Sequence, residues 1–177
     1  MSQTQTELFE TPSDFPAIDR AEERRLIEAM ERLAFAPFEF HSFLGKRRVV
    51  SFGWRYDFNS GGLQKTDDIP AFLIPVRESA AAFSELHPSK LQQVLLTEYP
   101  PGATIGWHKD RSVFGDVVGI SLLSACTFRF RRERSSLTAQ PRSSYLLRGP
   151  SRSQWEHSIP PVANIRYSIS FRNFRDG

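Results

Sequence analysis

The sequence predicts an α+β fold, a β-sandwich or jelly roll buttressed by N-terminal helices, and two observations support this. Apolar residues recur at helical spacing in two segments of the first half, 20–35 and 75–86. From about residue 93 onward, short apolar runs separated by turn residues indicate strands. Helices followed by a run of short strands are typical of this class. The 177 residues suffice for one domain with a substantial core.

The N-terminal segment is polar and carries two prolines, so we expect 1–16 to form a flexible arm and 17–177 to form a single domain. The first helix should begin after Asp19, an N-cap residue that forms a capping-box pattern with Glu22, and should run from Arg20 to about Phe35. No stretch resembles a signal peptide or a membrane span. The single Cys126 excludes a disulfide framework and suits a reducing cytosol, so we expect a cytoplasmic protein without membrane contact.

Two short strands are predicted between the helices, Phe38–Leu44 and Arg47–Phe52, with Gly45 as the turn. The segment 53–68 mixes aromatic residues with two adjacent glycines and predicts a long surface loop or a mobile hairpin. Segments of this length are often lids or binding elements, so we expect a substrate-recognition lid around 45–70.

The second helix should open at Pro75 and run to about Leu86. The predicted strands after it are Val94–Tyr99, Val117–Leu123, Thr127–Arg131, Ser143–Leu147 and Ile165–Phe171.

The segment 97–110, TEYPPGATIGWHKD, contains a histidine and an acid two residues apart, His108 and Asp110. In an extended backbone these side chains project to the same side. A third ligand is available at His157, beside Trp155. Two histidines and one carboxylate on one face of an ion form the facial triad of non-heme Fe(II) oxygenases. On its own the short pair also occurs by chance at surfaces.

The last predicted strand alternates strictly, with Arg166, Ser168 and Arg172 on one side. Arginines that face an interior need an anionic partner, and a dicarboxylate suits them. The two arginines are roughly 20 Å apart along a strand, so one would anchor the far carboxylate and the other would lie nearer the metal. An edge strand with solvent-facing arginines explains the pattern equally well.

These motifs occur together in the order seen in the AlkB family, which the chain resembles over about residues 94–174. The resemblance implies a double-stranded β-helix (jelly roll) that uses Fe(II), 2-oxoglutarate and O2. It implies that His108, Asp110 and His157 hold iron. It also implies that Arg166 pairs with the distal carboxylate of 2-oxoglutarate, that Arg172 lies near the keto-acid end, and that Tyr99 and Ser168 line the site. The chain departs from the family at Thr97, where asparagine is usual; a hydroxyl still donates to a carboxylate but lacks one contact of the amide.

The same resemblance implies a dioxygenase that demethylates N-alkylated bases in nucleic acid, of the 1-methyladenine and 3-methylcytosine type. Such a base must be flipped out and stacked. The aromatic residues Phe52, Trp54 and Tyr56 could hold it, although their alternation equally predicts the buried face of a strand. A formal charge of +3 and basic clusters around 46–65 and 129–134 are compatible with a polyanionic partner. We expect a monomer. The alternatives are the same chemistry on a methylated protein, a modified tRNA base or a small molecule, and a non-catalytic binding module.

Overall fold

The fold is described from a computed structural model that covers residues 18–132 and 134–176. The predicted arm, 1–16, lies outside these residues. The helices are α1 (Arg20–Met30), α2 (Ile74–Phe83) and α3 (Pro150–Ser153). The strands are β1 (Ala36–Phe40), β2 (Phe43–Phe52), β3 (Trp54–Asp57), β4 (Gly62–Lys65), β5 (Gln93–Tyr99), β6 (Ile105–His108), β7 (Phe114–Leu122), β8 (Cys126–Phe130), β9 (Ser136–Ala139), β10 (Ser144–Leu147), β11 (His157–Ile159) and β12 (Arg166–Phe174).

Two antiparallel sheets form the body of the molecule. The larger sheet has the order β1-β2-β5-β12-β7-β10, and the smaller has the order β6-β11-β8-β9. One apolar core lies between the sheets and joins residues of both, such as Tyr99, Phe128 and Leu147. A second core lies on the opposite face of the larger sheet, where Met30 of α1 and Val76 of α2 are buried. The predicted fold class, a jelly roll buttressed by helices, is confirmed.

Helix α1 begins as predicted but ends earlier. The carboxylate of Asp19 accepts a hydrogen bond of 2.7 Å from the backbone N–H of Glu22. The helix stops at Met30 instead of continuing to Phe35. Because the residue before a proline is biased toward extended conformation, Pro37 favours the strand that begins at Ala36.

The turn between β1 and β2 is not at Gly45. It is formed by His41 and Ser42, whose φ angles are +45° and +69°, and Phe40 pairs directly with Phe43. A two-residue hairpin loop with both φ angles positive matches the twist of the strands it joins, even without glycine. The prediction relied on the glycine preference and was wrong here; Gly45 lies inside β2.

The segment 53–68 is a hairpin, one of the two predicted forms. Strands β3 and β4 pair from Trp54 with Lys65 to Asp57 with Gly62. The φ of Gly53 is +78°, and a Cβ there would collide with the backbone carbonyl oxygen of Gln92. Glycine is therefore required where the chain leaves β2 and enters a separate two-stranded sheet.

The remaining predicted elements lie close to their expected bounds. Helix α2 buries Val76, Ala80 and Phe83 as expected, while β12 continues to Phe174. Three short strands, β6, β9 and β11, were not predicted because three or four residues carry no resolvable alternation. No helix in 18–132 or 134–176 is long and apolar enough to cross a membrane.

Candidate metal centre and arginine pocket

The three predicted metal ligands come together where the smaller sheet pairs β6 with β11. His157 is the register partner of His108, and their ring centroids are 4.3 Å apart. Asp110 follows β6, and its Oδ1 lies 3.8 Å from Nε2 of His108. One ligand atom from each of the three residues can be chosen so that all lie within 4.8 Å of one another. Two strands distant in sequence thus build one site for a cation.

Asp110 is held in its ionised form. Burial works to raise the pKa of its carboxyl group, but the Arg172 guanidinium and weaker neighbouring charges lower the pKa to about 2. Nη2 of Arg172 lies 3.6 Å from Oδ1 of Asp110. The carboxylate is therefore available as a metal ligand at neutral pH.

Both histidines can offer a lone pair. Nδ1 of His108 lies 2.9 Å from the carbonyl oxygen of Gly106. A carbonyl can only accept, so Nδ1 carries the proton and Nε2 is left for a metal. Burial lowers the pKa of His157 to about 4, so its imidazole is neutral at physiological pH.

Arg166 is the second feature of the site. Its side chain is fully buried, with an exposed fraction of 0%. Nε donates to Oγ of Ser121 at 2.9 Å, while both terminal nitrogens lack a hydrogen-bond partner among the described residues. A buried guanidinium with two unpartnered NH2 groups in one plane fits a carboxylate that binds in bidentate fashion. Because β12 is central in its sheet, the alternative of a solvent-facing edge strand is wrong.

The other predicted co-substrate residues share the face of the sheet that carries Arg166. Tyr99 pairs in register with Arg166, and Thr97 pairs with Ser168. Direct partners in an antiparallel ladder project to the same side. Thr97, Tyr99 and Ser168 are buried. Arg172 lies on the same face but near Asp110, so the two arginines occupy different ends of the site.

Two residues of the site were missed by the sequence analysis. Tyr145 of β10 is buried beside Arg166 and lies across Gly119, where a Cβ would collide with the tyrosine ring. Strand β7, which lies between β12 and β10, supplies Ser121, which accepts the hydrogen bond from Arg166. Both depend on strand order, which no local pattern reports.

Arg152 is the third missed residue, and it holds the segment that carries Asp110. Its side chain is buried and donates to the carbonyl oxygens of Asp110 at 3.4 Å, Arg111 at 2.6 Å and Phe114 at 2.5 Å. A guanidinium that bridges three carbonyls fixes the backbone between them. Its position five residues before His157 is the one local signal that could have drawn attention to it.

Of the three predicted substrate-stacking residues, Phe52 is separated from Trp54 and Tyr56, which both lie on β3. Phe52 is buried in the helix-side core, so it does not line the site; its neighbour in register, Val94, lies in the same core. Trp54 contacts Phe174 edge-on at 5.6 Å. Tyr56 lies under the guanidinium of Arg111, with 5.2 Å between Cζ and the ring centroid. The alternation across 52–58 does not place these aromatic residues on one common face, because Gly53 redirects the chain into another sheet.

The two remaining histidines and Arg48 have local contacts. His41 belongs to a turn, and His87 caps the short helical turn at Pro88–Lys90, so both are structural, as expected. Arg48 forms an ion pair of 2.7 Å with Glu98. Its charge therefore serves the sheet rather than a phosphate.

Known proteins support the assignment from this geometry. The model of the 2OG-Fe(II) oxygenase superfamily matches residues 22–173. An Arabidopsis thaliana protein named alkylated DNA repair protein ALKBH8 homolog is 28% identical over 86% of this chain and 50% of its own length. The mouse tRNA (carboxymethyluridine(34)-5-O)-methyltransferase ALKBH8 is 31% identical over 81% of this chain and 23% of its own length. The chain thus spans half or less of these relatives.

A solved structure shares the fold. The structure of OsALKBH1 superposes with a TM-score of 0.71 at 15% identity, and the match covers 89% of this chain and 93% of that one. The chain belongs to the 2OG-Fe(II) oxygenase superfamily and is an AlkB-like member of it. This membership implies Fe(II), 2-oxoglutarate and O2. The His-Asp-His cluster fits the metal, and the unpartnered nitrogens of Arg166 fit the diacid.

Proposed function

We propose that this chain is an Fe(II)- and 2-oxoglutarate-dependent dioxygenase that demethylates N-alkylated bases in nucleic acid, of the 1-methyladenine or 3-methylcytosine type. One observation carries the proposal: a cluster of two histidines and a carboxylate shares an interior with a fully buried arginine whose two terminal NH2 groups have no hydrogen-bond partner among the described residues. A binding module without turnover has no need of both.

The proposed roles follow from the contacts. His108, Asp110 and His157 hold Fe(II). Fe(II) held there would supply the oxidation of an N-methyl group by O2, with the methyl carbon released as formaldehyde and 2-oxoglutarate converted to succinate and CO2. These three residues would leave coordination positions for the co-substrate and dioxygen.

We call Arg166 and the buried residues around it, Thr97, Tyr99, Tyr145 and Ser168, the arginine pocket, and in this proposal it anchors the co-substrate. Arg166 clamps the distal carboxylate, and the phenol of Tyr99 lies beside it, with 4.9 Å between the guanidinium Cζ and the ring centroid. Thr97 and Ser168 project from the same face of the larger sheet. Arg172 holds the keto-acid end near Asp110 and balances its charge.

Nucleic acid is the proposed substrate because the first relative is named for alkylated DNA repair. A flipped base would enter beside the β3–β4 hairpin, where Tyr56 and Trp54 supply aromatic faces. This hairpin, within residues 45–70, is the proposed recognition lid. We further propose that 17–177 acts as one domain, as a cytoplasmic monomer; the buried and single Cys126 suits a reducing compartment.

The test is formaldehyde release from methylated single-stranded DNA and RNA, measured with and without Fe(II) and 2-oxoglutarate. We expect release only with both, and loss of more than 100-fold in His108→Ala and Asp110→Ala. His87→Ala, a substitution of an exposed histidine away from the site, is the matched control and should retain activity. Activity that survives in the two ligand variants refutes the site.

A modified tRNA base is the second candidate substrate. The mouse relative is named as a methyltransferase for uridine 34 of tRNA, and its match covers 81% of this chain. Under this alternative, tRNA would stimulate succinate formation while methylated DNA oligonucleotides would not. A side-by-side turnover screen separates the two substrates.

A further inference from the structure

A basic and aromatic surface lies on the outside of the smaller sheet, away from the iron ligands. Trp107 on β6 is 39% exposed. The guanidinium Cζ atoms of Arg129 and Arg131 lie 5.3 Å and 4.8 Å from the centroid of its ring. All three side chains are solvent-accessible. We call these three residues, with Lys109 and Arg132, the Trp107 surface.

This surface and the metal centre lie on opposite faces of the same strand, β6. Trp107 precedes His108, so the two side chains project to opposite faces of β6. Strand β11 lies between β6 and β8, and its Ser158 is small enough to let Arg129 reach across; Nε of Arg129 donates to Oγ of Ser158 at 3.0 Å. The stack is thereby held in place by the strand that also carries His157.

An open groove of about 430 Å³ continues the surface toward the site. It is lined by Lys109, Arg131, Arg132, Gln154, Trp155 and Glu156. Lys109 stands between two metal ligands in the chain, and Glu156 precedes the third. Glu156 is engaged with Arg131 at 2.7 Å. Three cations against one carboxylate leave the groove with a net positive charge.

We infer that the Trp107 surface binds the phosphodiester backbone of a single-stranded nucleic acid on one side of the base that enters the active site. This inference rests on the proposed function and adds where the strand lies. Guanidinium groups match phosphate geometry, and stacking on an indole reduces the rotamer freedom that binding would otherwise remove. The arginines stacked on Trp107 and the cations that line the groove together match the repeated negative charge of a phosphodiester backbone.

A nucleic acid fits the surface better than an acidic peptide does. Trp107 is 39% exposed and offers aromatic surface beside the arginines, and unpaired bases stack on exposed aromatic side chains. Carboxylates on a peptide would match the charge but leave the indole unused.

The test compares binding of a methylated single-stranded oligonucleotide by the full chain across a range of salt concentrations. In Arg129→Gln/Arg132→Gln we expect Kd to rise by roughly tenfold. The negative slope of the logarithm of the association constant against log salt should become shallower by about 1.4, because each phosphate contact contributes about 0.7. The control Arg24→Gln/Arg25→Gln removes the same charge from exposed positions of α1, behind the larger sheet. It should keep the wild-type slope.

Two further arms separate charge from local structure. Arg129→Lys retains the charge but loses the guanidinium geometry at the Trp107 ring and at Ser158, so it should keep the wild-type salt slope with a smaller rise in Kd than the single variant Arg129→Gln. A loss equal to that of Arg129→Gln overturns the inference. Polyglutamate of equal charge should displace the oligonucleotide poorly. Equal displacement also overturns it, because the surface would then be a general anion site.

The outcome is distinct from that of the proposed function. If the wild type neither binds nor demethylates oligonucleotides, the proposed function fails and this inference fails with it. If the wild type demethylates them while Arg129→Gln/Arg132→Gln binds as the α1 control does, only the Trp107 surface is refuted.

Discussion

Arg166 shows how a single residue can disclose the chemistry of a site. Burying a cation with unsatisfied N–H groups carries a large desolvation free energy, which a bound anion can offset. The hydrogen bond from Nε to Ser121 aims the other two nitrogens. In the proposed function this arrangement serves a ligand rather than the stability of the protein alone.

Arg166→Met should weaken 2-oxoglutarate binding by about 2–5 kcal/mol, at least 30-fold, because the carboxylate loses a buried charged partner. The free energy of unfolding without ligand should stay equal or rise, since an unpaired charge is removed. Isothermal titration and urea unfolding measure the two quantities. A fall in stability with unchanged affinity would assign Arg166 to structure instead.

Arg152 holds the backbone of the segment that carries Asp110, so we expect it to position that carboxylate for a metal. Arg152→Met should lower Mn(II) affinity by about 10- to 100-fold, the usual effect of losing a residue that orients a ligand. Arg152→Lys, which keeps the charge but cannot bridge three carbonyls, should give an intermediate loss. Titration with Mn(II) measures it, with exposed Arg24→Met as the control. Equal affinity in all variants would contradict the role.

At the scale of elements, the site depends on how three neighbouring strands fit. Gly119 of β7 stands in register between Ser170 of β12 and Tyr145 of β10. The tyrosine ring crosses over the glycine toward the arginine pocket. A strand glycine, normally unfavourable, is here the space that a large side chain fills.

Gly119→Ala should lower the free energy of unfolding by about 1–3 kcal/mol, because the new methyl group meets the Tyr145 ring in a packed core. Gly62→Ala is the matched control, since a Cβ there meets nothing within 4 Å. Urea unfolding measures both. An equal effect of the two substitutions would show that the ring adapts freely.

A hydrogen-bonded chain joins three strands on the other face of the larger sheet. Arg48 of β2 pairs with Glu98 of β5, which accepts a hydrogen bond of 3.0 Å from the hydroxyl of Tyr167 on β12. Burial, and next the Glu98 carboxylate, raise the pKa of Tyr167 to about 12. The folded state thus holds this proton more tightly than the unfolded state does.

The stabilising contribution of Tyr167 is complete below pH 10 and is lost as pH rises from about 10 to 12. Tyr167→Phe should therefore show a shallower fall in the free energy of unfolding over this range than the wild type does. Urea unfolding at a series of alkaline pH values gives the slopes. Parallel slopes would mean that Tyr167 titrates alike in both states.

For the whole molecule, the metal centre ties the smaller sheet to the larger one. His108 and His157 belong to β6 and β11, while Arg172, next to Asp110, belongs to β12. The candidate metal ligands belong to the smaller sheet and its following loop, while Arg166 and Arg172 belong to the larger sheet. Joint binding of a metal and 2-oxoglutarate would therefore oppose separation of the sheets. Stability should therefore respond to site occupancy as a linked equilibrium.

Mn(II) and 2-oxoglutarate, each at about 100 times its Kd, should stabilise the fold by about 2.7 kcal/mol per ligand, about 5.4 kcal/mol together, and raise Tm by about 10–20 °C. Differential scanning calorimetry measures the shift. Asp110→Ala should lose most of it, and Arg166→Met should lose only the increment from 2-oxoglutarate. A full shift in Asp110→Ala would place the binding elsewhere.

The sequence by itself determined the elements and the identity of the ligands. Helical spacing and a capping residue located α1 and α2, and strict alternation located β12 and placed Arg166, Ser168 and Arg172 on one side of it. The ordered motifs around His108 and His157 indicated an iron site. These signals are local, so they survive without knowledge of the fold.

Only the tertiary structure decided which residues surround those ligands. Strand order brought Ser121 and Tyr145 to Arg166, and a change of sheet at Gly53 moved Phe52 into the helix-side core. Arg152 reaches the Asp110 segment across about 40 residues of chain. Contacts of this kind depend on register and crossover, which periodicity cannot encode because it repeats identically on every strand.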